Sequence, residues 1–137
     1  MPELAQKLWM QLGPTGKLAL QGTLGAGKTT LVQHMGRALH IDEPIDSPTF
    51  TIMHSYGTPP QLFHFDCYRM EEPEAFLELG LEEYFYQDDA PVLVEWPERI
   101  IEYIPEHFHW LRIEVRDDGR RDYHLFSPNN MRKGQSS

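Results

Sequence analysis

The chain has 137 residues, 40% hydrophobic and 24% charged, with twelve basic against twenty-one acidic residues and a net charge of −9. That length fits one globular domain able to fold without disulfides or a structural metal. The charge disfavours tight, direct binding of RNA or DNA, which requires a basic face. No stretch reaches the roughly 18 apolar residues of a membrane span, no signal-peptide core opens the chain, and Cys67 is the only cysteine. The expectation is a cytoplasmic protein away from membranes.

In chain order, Pro2 to Leu12 predicts a helix, with Leu4, Ala5, Leu8, Trp9 and Leu12 at helical spacing. Gly13-Pro14-Thr15-Gly16 breaks it, and Lys17 to Gln21 reads as a short buried strand. Leu31, Val32, Met35 and Leu39 then predict a helix over Lys28 to His40. Asp42 to Pro48 is a loop, while Phe50 to Met53 and Leu62 to Phe65 are strand candidates joined through Gly57-Thr58-Pro59-Pro60. Pro73 suits the first turn of a helix carrying Phe76, Leu77 and Leu79, with a second short helix at Leu81 to Tyr86. Glu71 to Asp89 holds eight carboxylates and no Lys or Arg, which fits a solvated face or a docking surface for a basic partner. Val92-Leu93-Val94 reads as a strand covered on both sides. Trp110 to Arg116 and Arg121 to Phe126 flank Asp118-Gly119, a hairpin signal. The expected organisation is one domain over residues 1–126 with a disordered polar tail over 127–137. Its architecture is three-layer α/β, with a mainly parallel central sheet and a C-terminal antiparallel hairpin.

Gly22-Thr23-Leu24-Gly25-Ala26-Gly27-Lys28-Thr29 fits the whole Walker A pattern, placed between a predicted strand and a predicted helix. Glycines let successive N–H groups curl into an anion cradle, and the helix start adds its positive dipole end. Lys28 supplies charge to the β- and γ-phosphates, and the Thr29 hydroxyl is suited to Mg²⁺. None of the four lysines stands two residues before an Asp, as a guanine-recognition motif requires, so ATP is the expected nucleotide.

Two acids end apolar strands and compete for the metal: Asp66 after Leu62-Phe63-His64-Phe65, and Glu95 after Val92-Leu93-Val94. The residues alone do not choose between them. One would hold Mg²⁺ and the other orient or deprotonate the attacking water. Ion pairs with Arg69 and Arg99 are the structural alternatives. Thr49 lies in a loop that could close over the γ-phosphate or merely turn into a strand. His64 has no other ligand at metal spacing, so it reads as a packed histidine, and Trp96 fits either the core or the nucleotide's surroundings.

Five segments in this order strongly resemble the bacterial TsaE family: Gly22 to Thr30, Ser47-Pro48-Thr49-Phe50-Thr51, His64-Phe65-Asp66-Cys67-Tyr68-Arg69, Leu79 to Phe85, and Val94-Glu95-Trp96-Pro97-Glu98-Arg99. The likeness covers roughly residues 4–126. It implies a P-loop NTPase domain that binds ATP and Mg²⁺ and hydrolyses ATP weakly. The implied partners are TsaD and TsaB homologues, which transfer threonylcarbamoyl to adenosine 37 of tRNA. It further implies Thr29 and Glu95 as metal ligands and Asp66 as needed for hydrolysis. The sequence departs from the family at Thr23, where most members have Asp, at Gln33-His34 in place of Arg-Gly, and in a later start, departures that bear on ATP affinity. The residues also admit a small-molecule kinase with Asp66 as base, or a switch driven by ATP occupancy alone.

Overall fold

The computed structural model describes residues 2–23, 25–45 and 52–128. Its six strands are β1 (Lys17–Gly22), β2 (Met53–Tyr56), β3 (Leu62–Asp66), β4 (Val92–Glu95), β5 (His109–Val115) and β6 (Arg121–Phe126). They form one sheet in the order β2-β3-β4-β1-β5-β6. The inner four run parallel, while β2 pairs antiparallel with β3 and β6 antiparallel with β5. The parallel centre and terminal hairpin are as the sequence predicts; the antiparallel β2 edge is an addition.

The period-2 alternation of side chains sorts each strand between two cores. Leu18 and Leu20 of β1, Leu62 of β3, Leu93 of β4, and Leu111 and Ile113 of β5 face α1 (Pro2–Leu12) and α2 (Lys28–Ala38). Both helices present a buried stripe, Ala5, Leu8 and Leu12 on one and Leu31, Val32 and Met35 on the other. The Trp9 indole N–H ties them by donating to the Met35 carbonyl at 2.9 Å. The opposite core holds Ala19, Phe63, Phe65, Val92, Val94 and Trp110. It is capped by α3 (Glu74–Glu78) and 3-10 turns at Glu82–Phe85 and Pro97–Tyr103. Three layers result.

The sequence placed a strand at Phe50 to Met53; the observed strand runs Met53–Tyr56. Phe50 and Thr51 lie outside the described residues, and Tyr56 is the buried anchor, in the α1/α2 core. The 3-10 segment Pro97–Tyr103 had no sequence signal beyond Pro97, and only Pro97 and Ile100 of it are buried. Leu77 and Leu79 are exposed, leaving Phe76 as the buried anchor of α3. The hairpin signal holds: Val115 pairs with Arg121 across Asp118-Gly119, and Gly119 takes φ 86°.

Four fully buried rings pin the short-helix layer to the sheet. Phe85 lies 5.1 Å from Phe65, 5.1 Å from Phe76 and 5.0 Å from Phe108, centroid to centroid. Phe85→Ala opens a cavity at this junction and is expected to cost about 3–5 kcal/mol, read from the denaturant midpoint. A cost under 1 kcal/mol would mean the layer is not held this way. Cys67 is buried in the same core, and burial pushes its thiol up to about 12. It therefore stays protonated and unreactive near neutral pH. No helix among the described residues is long and apolar enough to cross a membrane.

Candidate functional site

The carboxyl ends of the parallel strands converge where β1 turns into α2, the edge at which open α/β sheets place ligands. Gly25 and Gly27 adopt φ of 83° and 98°, a region that side-chain-bearing residues rarely enter. At Gly22 a Cβ would come within 3.1 Å of the Ile113 carbonyl oxygen and 3.2 Å of the Ala26 Cβ. The loop therefore needs glycine at two positions for conformation and at a third for space. Leu24 lies outside the described residues.

Lys28 is 5% exposed, and its ammonium donates to the backbone carbonyls of Gly22 and Thr23. It also sits 3.8 Å from the centroid of the Trp96 ring. Burial depresses the Lys28 pKa below the ordinary 10.5, and the carboxylates of Glu95, Glu98 and Asp66 oppose that shift. Trp96 itself has φ 56° and ψ 50°, a left-handed conformation for a large side chain. That strain, set just after Glu95 and before Pro97, aims the ring at the lysine. The Tyr68 ring packs 4.9 Å from it.

Glu95 ends β4 at 2% exposure, on the α2 face of the sheet. The Thr29 hydroxyl, in the first turn of α2, donates to its Oε1 at 2.9 Å and its Oε2 at 3.2 Å. His64 Nε2 lies 2.6 Å from Oε2, and His64 is fully buried. Since the carboxylate accepts, Nε2 carries the proton. Nδ1 has no hydrogen-bond partner among the described residues, and a lone pair is the less costly group to leave so. Glu95 is thus held by Thr29 and His64 rather than by the Arg99 pair that sequence spacing allowed. Asp66 ends β3 directly opposite Glu95 in parallel register, and its Oδ1 accepts the Tyr68 amide at 3.0 Å.

A cavity of about 380 Å³ joins these parts, lined by Gly25, Ala26, Gly27, Lys28, Thr29, Thr30, Asp66, Tyr68, Glu95, Trp96 and Arg121. Of the residues expected from sequence, the structure thus brings Lys28, Thr29, Thr30, Asp66 and Glu95 to one place with the glycine loop. Thr23 sits beside it, where its carbonyl meets Lys28, and it borders a neighbouring groove. Thr49 lies outside the described residues. Sequence reasoning missed three side chains, Tyr68, His64 and Arg121. His64 shares its sheet face with Asp66 two residues on, a period-2 signal that could have tied it to the strand-end acids. Arg121, from the distant β6, had no local signal.

The residues fit Mg²⁺ and a nucleoside triphosphate by donor chemistry: a hydroxyl and a carboxylate within 2.9 Å of each other, a loop that only glycine can shape, and a desolvated ammonium.

Residues 1–123 match the family model described as threonylcarbamoyl adenosine biosynthesis protein TsaE. The tRNA threonylcarbamoyladenosine biosynthesis protein TsaE of a Nostoc species is 44% identical over 109 residues, covering 76% of this chain and 65% of that protein. The protein of the same name from Bacillus subtilis is 40% identical over 111 residues, covering 80% and 68%. The chain spans just under two thirds of the Nostoc relative's length. The crystal structure of Bacillus subtilis YdiB superposes with a TM-score of 0.72 at 30% identity, over 99% of this chain and 88% of that one.

Proposed function

The chain belongs to the TsaE family of threonylcarbamoyl adenosine biosynthesis proteins, and from that premise we propose that it is a Mg²⁺-dependent ATPase supporting a TsaD–TsaB pair in tRNA modification. The observation that carries the reading is the contact between Thr29 Oγ1 and Glu95 at 2.9 Å, beside Lys28 at the mouth of the glycine loop. A hydroxyl from the first helical turn and a carboxylate from a neighbouring strand end are the pair such enzymes use for Mg²⁺.

In this reading the loop's N–H groups and the start of α2 bind the phosphates, and Lys28 offsets charge gathering on the transferred group. Thr29 and Glu95 would hold Mg²⁺, which when bound neutralises phosphate oxygens as a Lewis acid. Asp66 takes the hydrogen bond of the attacking water and orients it. Its place opposite Glu95 in the β3–β4 register supports that division of work. Thr30 belongs to the same cradle, and Thr49 senses the γ-phosphate. The net charge of −9 supports a helper that leaves tRNA to its partners.

Asp66→Asn tests the assignment. It is expected to preserve MgATP affinity within about threefold and to lower phosphate release about 10²-fold or more, the range general-base removal produces. Unchanged release would remove Asp66 from the chemistry. Phosphate appearing on an acceptor other than water would replace the ATPase with a kinase.

A further inference from the structure

A groove of about 550 Å³ lies in the short-helix layer, at the opposite end of the sheet from the phosphate loop. Pro105 and His107, on its lining, lead into the amino end of β5, whereas the loop leaves the carboxyl end of the parallel neighbour β1. Its apolar lining comes from Leu77, Tyr86, Tyr103, Ile104 and Pro105. Leu77 is 42% exposed and Tyr86 65%, and the exposed Leu79 and Ile101 belong to the same layer. A soluble chain rarely leaves several large apolar side chains open together unless something covers them. One wall is already set. The His107 ring donates through Nε2 to the Phe85 carbonyl at 2.9 Å and lies 5.7 Å from the Tyr86 ring.

The charge of the groove selects what would cover it. Glu82, Glu102 and Glu106 line it, and among the described residues no Lys or Arg does. Glu82 belongs to the run from Glu71 to Asp89, which holds eight carboxylates and no basic residue. Its Oε2 is buried and has no hydrogen-bond partner among the described residues. A buried carboxylate oxygen without a donor is costly, and an arriving Lys or Arg N–H supplies donor and charge at once. Nucleic acid and anionic membranes carry the wrong sign for this surface. A second copy, at a net charge of −9, is disfavoured on the same ground.

We propose that this groove docks a basic protein segment, which sets an aliphatic or aromatic side chain against Leu77 and Tyr86 and a Lys or Arg on Glu82. The inference stands apart from the ATP reading, because the groove shares no lining residue with the nucleotide cavity. A partner held there leaves that cavity open.

The test is fluorescence anisotropy of two labelled helical peptides against the full chain. One peptide carries a stripe of leucines flanked by lysines, and the other has those leucines replaced by alanine. The leucine peptide is expected to bind about tenfold or more tightly than the alanine form. Leu77→Ala combined with Tyr86→Ala should weaken the leucine peptide about tenfold or more, and Glu82→Gln combined with Glu102→Gln by a similar factor. Tyr86→Lys, which truncates nothing at an exposed position, should weaken it as well. Asp117→Asn combined with Asp118→Asn, in the turn between β5 and β6, removes as much charge and should stay within about twofold. Equal losses in the groove and turn variants would mean diffuse attraction to an acidic protein and overturn the proposal. Equal binding of the alanine peptide, or no binding of either, overturns it too. Sedimentation of the chain alone covers the remaining occupant: a dimer that the Leu77 and Tyr86 variant dissociates would put a second copy in the groove instead.

Discussion

Lys28→Ala is expected to weaken MgATP by about 10²-fold or more while leaving the fold intact. The ammonium is the cation most deeply set in the cavity, 5% exposed, and it is already desolvated before any ligand binds. Its interaction with an anion therefore carries little further dehydration cost. A unit charge pair at about 4 Å and an effective dielectric near 20 contributes about 4 kcal/mol, enough for several hundredfold in affinity. Folding is affected differently. Truncation leaves the Gly22 and Thr23 carbonyls without this donor, but it also relieves the burial of a charge beside Trp96. These effects oppose one another, so the ligand-free melting temperature should change by only a few degrees. The clean readout is thermal stabilisation by MgATP, about 2.7 kcal/mol at a hundred times Kd for the parent and close to nothing for the variant at the same concentration. Equal stabilisation of both proteins would show that phosphate does not meet Lys28.

The sign of the pH dependence follows from the same burial. The folded-state pKa of Lys28 is depressed, so the native protein carries a cost for the charged form at neutral pH that is relieved as pH rises through that lowered value toward 10.5. Polyphosphate binding needs the charged form. MgATP affinity is thus expected to fall with pH at an alkaline value lower than an ordinary lysine would give, measured by titration in a series of alkaline buffers. In Lys28→Ala that component should vanish.

What could be read from the sequence divides by how local each signal is. The phosphate loop was legible because its chemistry is contiguous: Gly25, Gly27, Lys28 and Thr29 are fixed by one turn between one strand and one helix. The strand-end acids were legible as candidates because Asp66 and Glu95 each close an apolar run. Their pairing was not, since it depends on β3 lying beside β4. The β2 strand was expected too early in the chain because Phe50 supplied a local apolar signal, whereas the pairing is anchored by Tyr56 opposite Leu62. Arg121 could not be found at all by spacing. It reaches the cavity only because the hairpin folds β6 back against β5 and so brings its first residue to Ala26. His64 was weighed only as a zinc ligand and set down as packing; it is buried as expected, but its Nε2 has a specific task.

That task carries the other large expectation. Glu95 is a carboxylate at 2% exposure whose two oxygens are served by Thr29 and His64. Removing a hydrogen-bond donor from a buried carboxylate leaves that oxygen unsatisfied, at a typical cost of about 1–3 kcal/mol and more for a charged acceptor. His64→Leu fills the space with an apolar side chain and deletes the Nε2 donor, so it is expected to destabilise the protein on that scale and to weaken Mg²⁺ as well. The two effects share one cause. Without His64 the carboxylate loses the donor that fixes Oε2 and swings toward Thr29, which removes a preset metal-facing oxygen. His64→Gln keeps an N–H donor on a side chain of comparable reach and should recover part of both losses. Denaturant unfolding gives the stability term, and Mg²⁺ titration at fixed ATP gives the metal term, with nucleotide affinity measured in EDTA as the control. In EDTA the His64 variants should bind nucleotide nearly as the parent does, because the glycine loop and Lys28 are untouched. Were His64→Leu to lose stability but retain full Mg²⁺ affinity, His64 would be a core residue that merely neighbours Glu95. The reverse pattern, metal affinity lost at unchanged stability, would mean that water entering the site replaces the missing donor for folding but cannot hold the carboxylate in place.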